Sequence, residues 1–142
     1  MGISYFEQER IFKLDGKELS YLIGIVDEQQ FVGHIYFGKK IKDHRIAHLL
    51  RLQEAPFVPS QNNRDRLAFY ESFPWEYSAR GIGDFREDCL AVETAGGHFA
   101  TKLSYRAHHI LKGLDAPMGL PGVFGDVETA STLELICAAL EK

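Results

Sequence analysis

Three groups of side chains in this sequence could do chemistry. The first is histidine: there are six, and His44 and His48 stand four apart with Asp43 adjacent, on one face of any helix formed there. A closed structural zinc site asks for about four ligands, usually supplied as cysteine or histidine pairs, and no CxxC accompanies these. No metal ligand is assigned. The second is carboxylate. Asp84, Glu87 and Asp88 could be offered as a glycosidase pair, one acid attacking or activating water while the other protonates the leaving oxygen. On a strand, however, Asp84, Arg86 and Asp88 share one face, and a local charge network drawing in Arg106 accounts for them more simply. The third is aromatic. Phe73, Trp75 and Tyr77 lie beside Arg80, and such stretches stack on sugars but also build cores and interfaces. Gly81-Ile82-Gly83 opens no helix and is no dinucleotide fingerprint. No serine sits in a GxSxG elbow, and neither cysteine has a base nearby in sequence. Residue chemistry alone assigns no catalytic residue and no cofactor.

The elements that would carry these groups read as strands. Residues 3 to 14 contain two short β-like runs, the second with Ile11, Phe12 and Leu14. Asp15-Gly16 is a turn dipeptide, Glu18–Val26 a third strand, and FVGHIYFG from Phe31 a fourth. From Lys39 to Asp65 the rhythm lapses into a loop around one short helical turn at Arg45–Leu52, with strand character resuming at Arg66–Phe73. The stretch Gly81–Leu111 reads as the central hairpin: a strand Phe85–Thr94, a turn at Ala95-Gly96-Gly97, and a return strand. On that return, Phe99, Thr101, Leu103, Tyr105 and Ala107 face one way and Lys102, Ser104, Arg106 and His108 the other. Consecutive His108 and His109 then point to opposite faces, one held inside and the other in solvent. A last strand, Ser131–Leu140, is apolar on both faces, which calls for cover on both sides. Strands about ten residues apart with short turns predict an all-β, antiparallel β-sandwich.

Composition sets the outer bounds. The 142 residues, 45% apolar and 25% charged, suit one ordinary globular domain. A net charge of −4 is the wrong sign for a general nucleic-acid surface, and the basic cluster Lys39, Lys40, Lys42 and Arg45 reads as a solvated strand end. Cys89 and Cys137, each in an apolar run, read as small buried hydrophobes without a disulfide. The N-terminus has no charged-then-apolar leader, Phe6 stands where a myristoylation signal needs Ser or Thr, and no apolar run is of spanning length. The expected compartment is the cytoplasm, with no membrane or nucleic-acid partner.

A series of short pieces carries a resemblance: IYFGKKI at 35–41, EY at 76–77, Gly81 with DFR at 84–86, HHILKG at 108–113, GLP at 119–121 and TLEL at 132–135. In this order and spacing the chain resembles the start of the α-galactosidases of glycoside hydrolase family 36. It departs from them at Ser78, Arg80, Asp88, Cys89 and Gly113-Leu114-Asp115. The resemblance implies that residues 1–142 are an incomplete N-terminal domain, part of a galactose-mutarotase-like supersandwich, with the catalytic (β/α)8 barrel absent. Its nucleophile, in a KxDxN strand, and its acid/base would lie beyond Lys142, so the chain alone should hydrolyse nothing.

The same resemblance implies a binding role. In tetrameric members a long loop of this domain reaches a sister subunit's active-site mouth, and the matching positions are Glu54, where aspartate is usual, and Arg66. A carboxylate accepts paired sugar hydroxyls and a guanidinium offers a rigid fork of donors. The implied partners are the rest of an α-galactosidase, its sister subunits and, indirectly, a galactoside. Two readings remain beside this one: a free-standing carbohydrate-binding module using Trp75, Tyr77 and Arg80, and a structural fragment without ligand.

Overall fold

The computed structural model describes residues 2–26, 28–43, 45–50, 73–80, 86–114, 118–119, 121 and 128–139. Strands β1 (Gly2–Phe6), β2 (Ile11–Asp15), β3 (Leu19–Val26) and β4 (Phe31–Lys39) form an antiparallel sheet in chain order. Strands β5 (Leu103–Lys112) and β6 (Ser131–Ala139) pair antiparallel in a second sheet. The sharp turns between β1 and β2 and between β3 and β4 place Arg10 and Gln30 at positive φ, and the Arg10 guanidinium donates to Gln30 Oε1.

Cross-strand partners share a face, so the register sorts the side chains. One face of the four-stranded sheet carries the rows Tyr5–Phe12–Ile23–His34 and Ile3–Leu14–Tyr21–Phe37. Against it lies the β5–β6 ribbon, with Phe12, Ile23 and Ile25 buried beneath Tyr105, Leu133 and Leu135. The opposite face carries Phe6, Ile11, Lys13, Leu22, Gly24 and Gly33. The chain after β4 folds back over this face through Ile41, Ile46 and Leu49, the last in a 3-10 turn at Ala47–Leu49. The result is a β-sandwich, as the strand rhythm predicts.

Each sheet contains one bulge, and both re-aim side chains. Ile35 is the extra residue of β4, since His34 pairs with Ile23 and Tyr36 with Leu22. Both Ile35 and Tyr36 therefore reach the Leu22 cluster. Gly24 makes room, because a Cβ there would lie 2.8 Å from Ile35 Cδ1. Arg106 is the extra residue of β5, between the pairs Tyr105–Cys137 and Ala107–Ile136.

The predicted central hairpin is corrected by this structure. The turn exists, with Gly97 at positive φ and its N–H donating to Thr94 O at 2.9 Å, but Gly96 is not left-handed. The described part of the predicted Phe85–Thr94 strand, from Arg86 on, is irregular and mostly exposed, meeting residues 73–80 through the isolated Ala79–Leu90 bridge and hydrogen bonds to Phe73, Ser78 and Arg80 rather than through a ladder. Its charged Arg86, Glu87 and Asp88 offer no apolar face to a sheet, whereas β6 does. Strand β5 accordingly pairs with β6. The bulge at Arg106 also breaks the predicted alternation, because Tyr105 and His108 end on the same side, joined by a 2.7 Å hydrogen bond. The split between the two histidines holds: His108 packs tilted against Tyr5 and edge-on to Phe12, while exposed His109 meets Glu134 at 2.6 Å. Among the described residues β6 is not covered on both sides, Ile136 on the outer face being 38% exposed. Both cysteines are free and exposed rather than buried, Cys89 in the irregular stretch and Cys137 near the open end of β6. Burial of the Cys137 sulfur itself still pushes that thiol's pKa up.

Candidate functional site

Two polar clusters and one cavity deserve consideration, and each is built on the four-stranded sheet. Lys13 lies on the face covered by the returning chain and is 2% exposed. Its ammonium donates to Asp15 Oδ2 at 2.9 Å, to Ile41 O at 2.7 Å and to Asp43. Ser20 donates to Asp15 Oδ1 at 2.6 Å and accepts the Ile41 N–H at 3.1 Å. Burial pulls the Lys13 pKa down, but the hydrogen bonds and charges of Asp43 and Asp15 outweigh it and hold the group above its ordinary value. Burial likewise pushes the Asp15 carboxyl up, and Ser20, Lys13 and Lys40 more than reverse it. This buried ammonium is therefore charged and fully engaged, and it fastens residues 41–43 beneath β2.

Further along, Leu50 and Phe73 converge on β4. A Cβ on Gly33 would lie 2.7 Å from Phe73 Cζ and 3.5 Å from Leu50 Cδ1. Leu50 and Phe73 thus meet over one glycine. Residues 74–76 then run along β4, His34 N–H donating to Pro74 O at 2.7 Å and Glu76 N–H to Val32 O at 3.1 Å. Phe73 and Trp75 pack edge-on against each other, and Trp75 also meets Phe31 at 4.8 Å between ring centroids. On the other side of this segment Glu76 accepts a hydrogen bond from the Tyr21 hydroxyl and faces His34 Nδ1 at 3.3 Å.

A cavity of about 480 Å³ is lined by Phe6, Glu7, Gln8, Glu9, Asp43 and Arg45. Two of its acids already have partners: Asp43 holds Lys13, and Glu9 accepts the Ile46 N–H at 3.3 Å. Among the described residues no three metal-binding side chains come together.

The sequence-based candidates fare differently. Glu54 and Arg66 lie outside the described residues, as do His44 and Asp84. Trp75, Tyr77 and Arg80 do not form one platform. Trp75 packs edge-on into the Phe31–Phe73 core, while Arg80 binds Asp88 at 3.3 Å and lies over Phe99. Around Asp88 the pair formed is with Arg80, while Arg86 donates to Phe73 O and Arg106 is the bulge residue of β5. Sequence reasoning missed the Lys13 cluster. Its signal was the alternation Ile11, Lys13, Asp15 on one strand face, a lysine where an apolar residue belongs.

What the described residues define is a β-sandwich scaffold whose buried polar groups hold backbone segments in place. The model of the glycosyl hydrolase family 36 N-terminal domain matches residues 30–140, and the chain belongs to that family. It is 31% identical over 137 residues to the α-galactosidase AgaA of Geobacillus stearothermophilus, covering 96% of this chain and 19% of that protein. The solved α-galactosidase AgaB of the same organism superposes with a TM-score of 0.82 at 33% identity, over 96% of this chain and 18% of AgaB. The galactosidase domain of the α-galactosidase–sucrose kinase AgaSK superposes with a TM-score of 0.85 at 27% identity, covering 96% of this chain and 19% of that one. The chain thus spans about a fifth of the length of these relatives.

Proposed function

We propose that this chain is the N-terminal β-sandwich region of a cytoplasmic α-galactosidase, an enzyme removing terminal non-reducing α-D-galactosyl residues. In this reading it is non-catalytic by itself and acts as scaffold, oligomer contact and contributor to the substrate rim. The observation that carries the scaffold role is the half-covered sheet. Strands β5 and β6 shelter the row through Phe12, but in the next row Phe37 is 64% exposed. Ile136 and Leu111 on the outer face of the ribbon, and Ile110 at its far end, are also exposed. A domain presenting apolar rows of this kind is suited to packing against further protein. Two free cysteines accord with a reducing compartment.

Retaining glycosidases need two carboxyl groups about 5 Å apart flanking the scissile bond, one as nucleophile and one as acid/base. No such pair is assigned here, so the barrel of the complete enzyme would supply both. Glu54 and Arg66 would then frame the sugar from a neighbouring subunit, accepting and donating hydrogen bonds to its hydroxyls. The test is direct. Purified chain should leave p-nitrophenyl α-galactoside intact, and turnover comparable with the full-length relatives would overturn the reading. In a complete enzyme carrying this domain, Arg66→Ala should raise KM for the galactoside; unchanged kinetics would remove the rim assignment. The carbohydrate-module reading loses its stacking platform, because Trp75 is spent on Phe31 and Phe73.

A further inference from the structure

We propose that Tyr21, His34 and Glu76 form a proton-responsive clasp that fixes residues 73–77 along the edge of β4. The three groups come from three elements: β3, β4 and the segment itself. Glu76 Oε1 accepts the Tyr21 hydroxyl. Oε2 is buried and makes no well-aligned hydrogen bond among the described residues, yet His34 Nδ1 stands 3.3 Å away. The Tyr21 and His34 rings lie 5.4 Å apart, closing the third side. A buried carboxylate oxygen without a donor is costly, and a proton held between Oε2 and Nδ1 satisfies it, whichever atom carries the proton.

The neighbouring charges are few. At the start of the segment Arg86 donates to Phe73 O at 2.7 Å, and beyond Trp75, Lys102 lies over the Phe31 ring. Tyr21 and His34 are the titratable groups facing Glu76 among the described residues.

The direction follows from the chemistry. Burial raises the Glu76 pKa above 4.5. A carboxyl raised in the folded state contributes stability that is present at low pH and lost as pH rises through the folded value. Loss of the shared proton leaves an ionised, buried carboxylate facing a neutral imidazole. The clasp is therefore tight on the acid side and loose on the alkaline side.

The protein carries its own reporter, since its one tryptophan is Trp75, inside the clasped segment. Trp75 emission of the full chain is followed from about pH 4 to about pH 8, a range covering ordinary carboxylate and imidazole titrations. The expected result is a red shift on raising pH that disappears in Glu76→Gln and is lost or displaced in His34→Gln. Far-UV circular dichroism should stay constant, so that the shift reports the segment and not the fold. A wild-type emission that does not move, or one that moves identically in Glu76→Gln, overturns the proposal. If Glu76→Gln fails to fold, His34→Gln decides: an unchanged midpoint there rejects the clasp and a lost or displaced one supports it.

Discussion

The two faces of the four-stranded sheet are finished differently. On the face carrying Lys13, the chain's own continuation closes the surface, with Ile46 on Ile11 and Leu22 and a buried ammonium tying down Ile41 and Asp43. On the face carrying Phe12, a two-stranded ribbon covers the row through Phe12 and leaves Phe37, in the next row, exposed. The closed face uses polar groups because backbone must be fastened there, and loops bring N–H and C=O groups that need partners. The open face is built mainly of rings and aliphatics, with polar contacts at Tyr105–His108 and at Tyr21, His34 and Glu76, and its exposed part suits an apolar partner of matching shape. One face is self-contained and the other is an invitation to further protein.

The sharpest way to weigh the two is to remove one side chain from each. Phe12, with no exposed surface, should be the larger loss: Phe12→Ala is expected to cost about 4 kcal/mol in urea denaturation, by transfer and cavity terms together. Lys13→Ala takes the buried ammonium from Asp15, Asp43 and the Ile41 carbonyl at once and should cost about 3 kcal/mol. If Lys13→Ala proves neutral, the closed face is held by its aliphatics and the ammonium is a passenger. The pH dependence tests the same point. Asp15 is held below its ordinary value, so its contribution is complete above the usual carboxylate range and lost as pH falls through the folded value. Lys13 is held above 10.5, so its share is complete below that value and lost as pH rises through the folded one. Denaturation midpoints should therefore fall at both extremes, and Lys13→Met should flatten both arms.

Smaller effects follow. Gly33→Ala drives a methyl against the Phe73 ring, where the aromatic cluster leaves little room, and should cost about 2 kcal/mol by the same unfolding assay. A cost near zero would show that Phe73 can swing aside. Phe37→Ser on the open face should change stability by no more than about 0.5 kcal/mol while reducing self-association in sedimentation. A large stability loss there would mean that the exposed row is already packed against something.

Strands β1 to β4 were legible because their turns are short and their apolar residues alternate, so neighbours in sequence are neighbours in space. The pairing of β5 with β6 was not, since long irregular stretches separate them and the tempting partner at 85–94 lay closer. Nothing local in LSYRAHHILK marks Arg106 as surplus, so Tyr105 and His108 were set on opposite faces. The polar clusters show the same limit. Lys13 beside Asp15 could be read from one strand, but Asp43 joins only through the fold-back, and Glu76 meets Tyr21 across more than fifty positions. Of the residues singled out for binding, Trp75 was better described by its alternative as core.

The bulge at Arg106 has an evolutionary corollary. Dropping a residue from a strand normally turns it inside out, exchanging what is wet for what is dry. Here excision of Arg106 would leave Tyr105 opposite Cys137 and Ala107 opposite Ile136, now as an unbroken ladder. Both histidines would keep their sides, and only the ribbon's coil would relax. A one-codon loss at this place should therefore keep every side chain of the ribbon on its own face and alter only the angle at which the ribbon crosses the sheet.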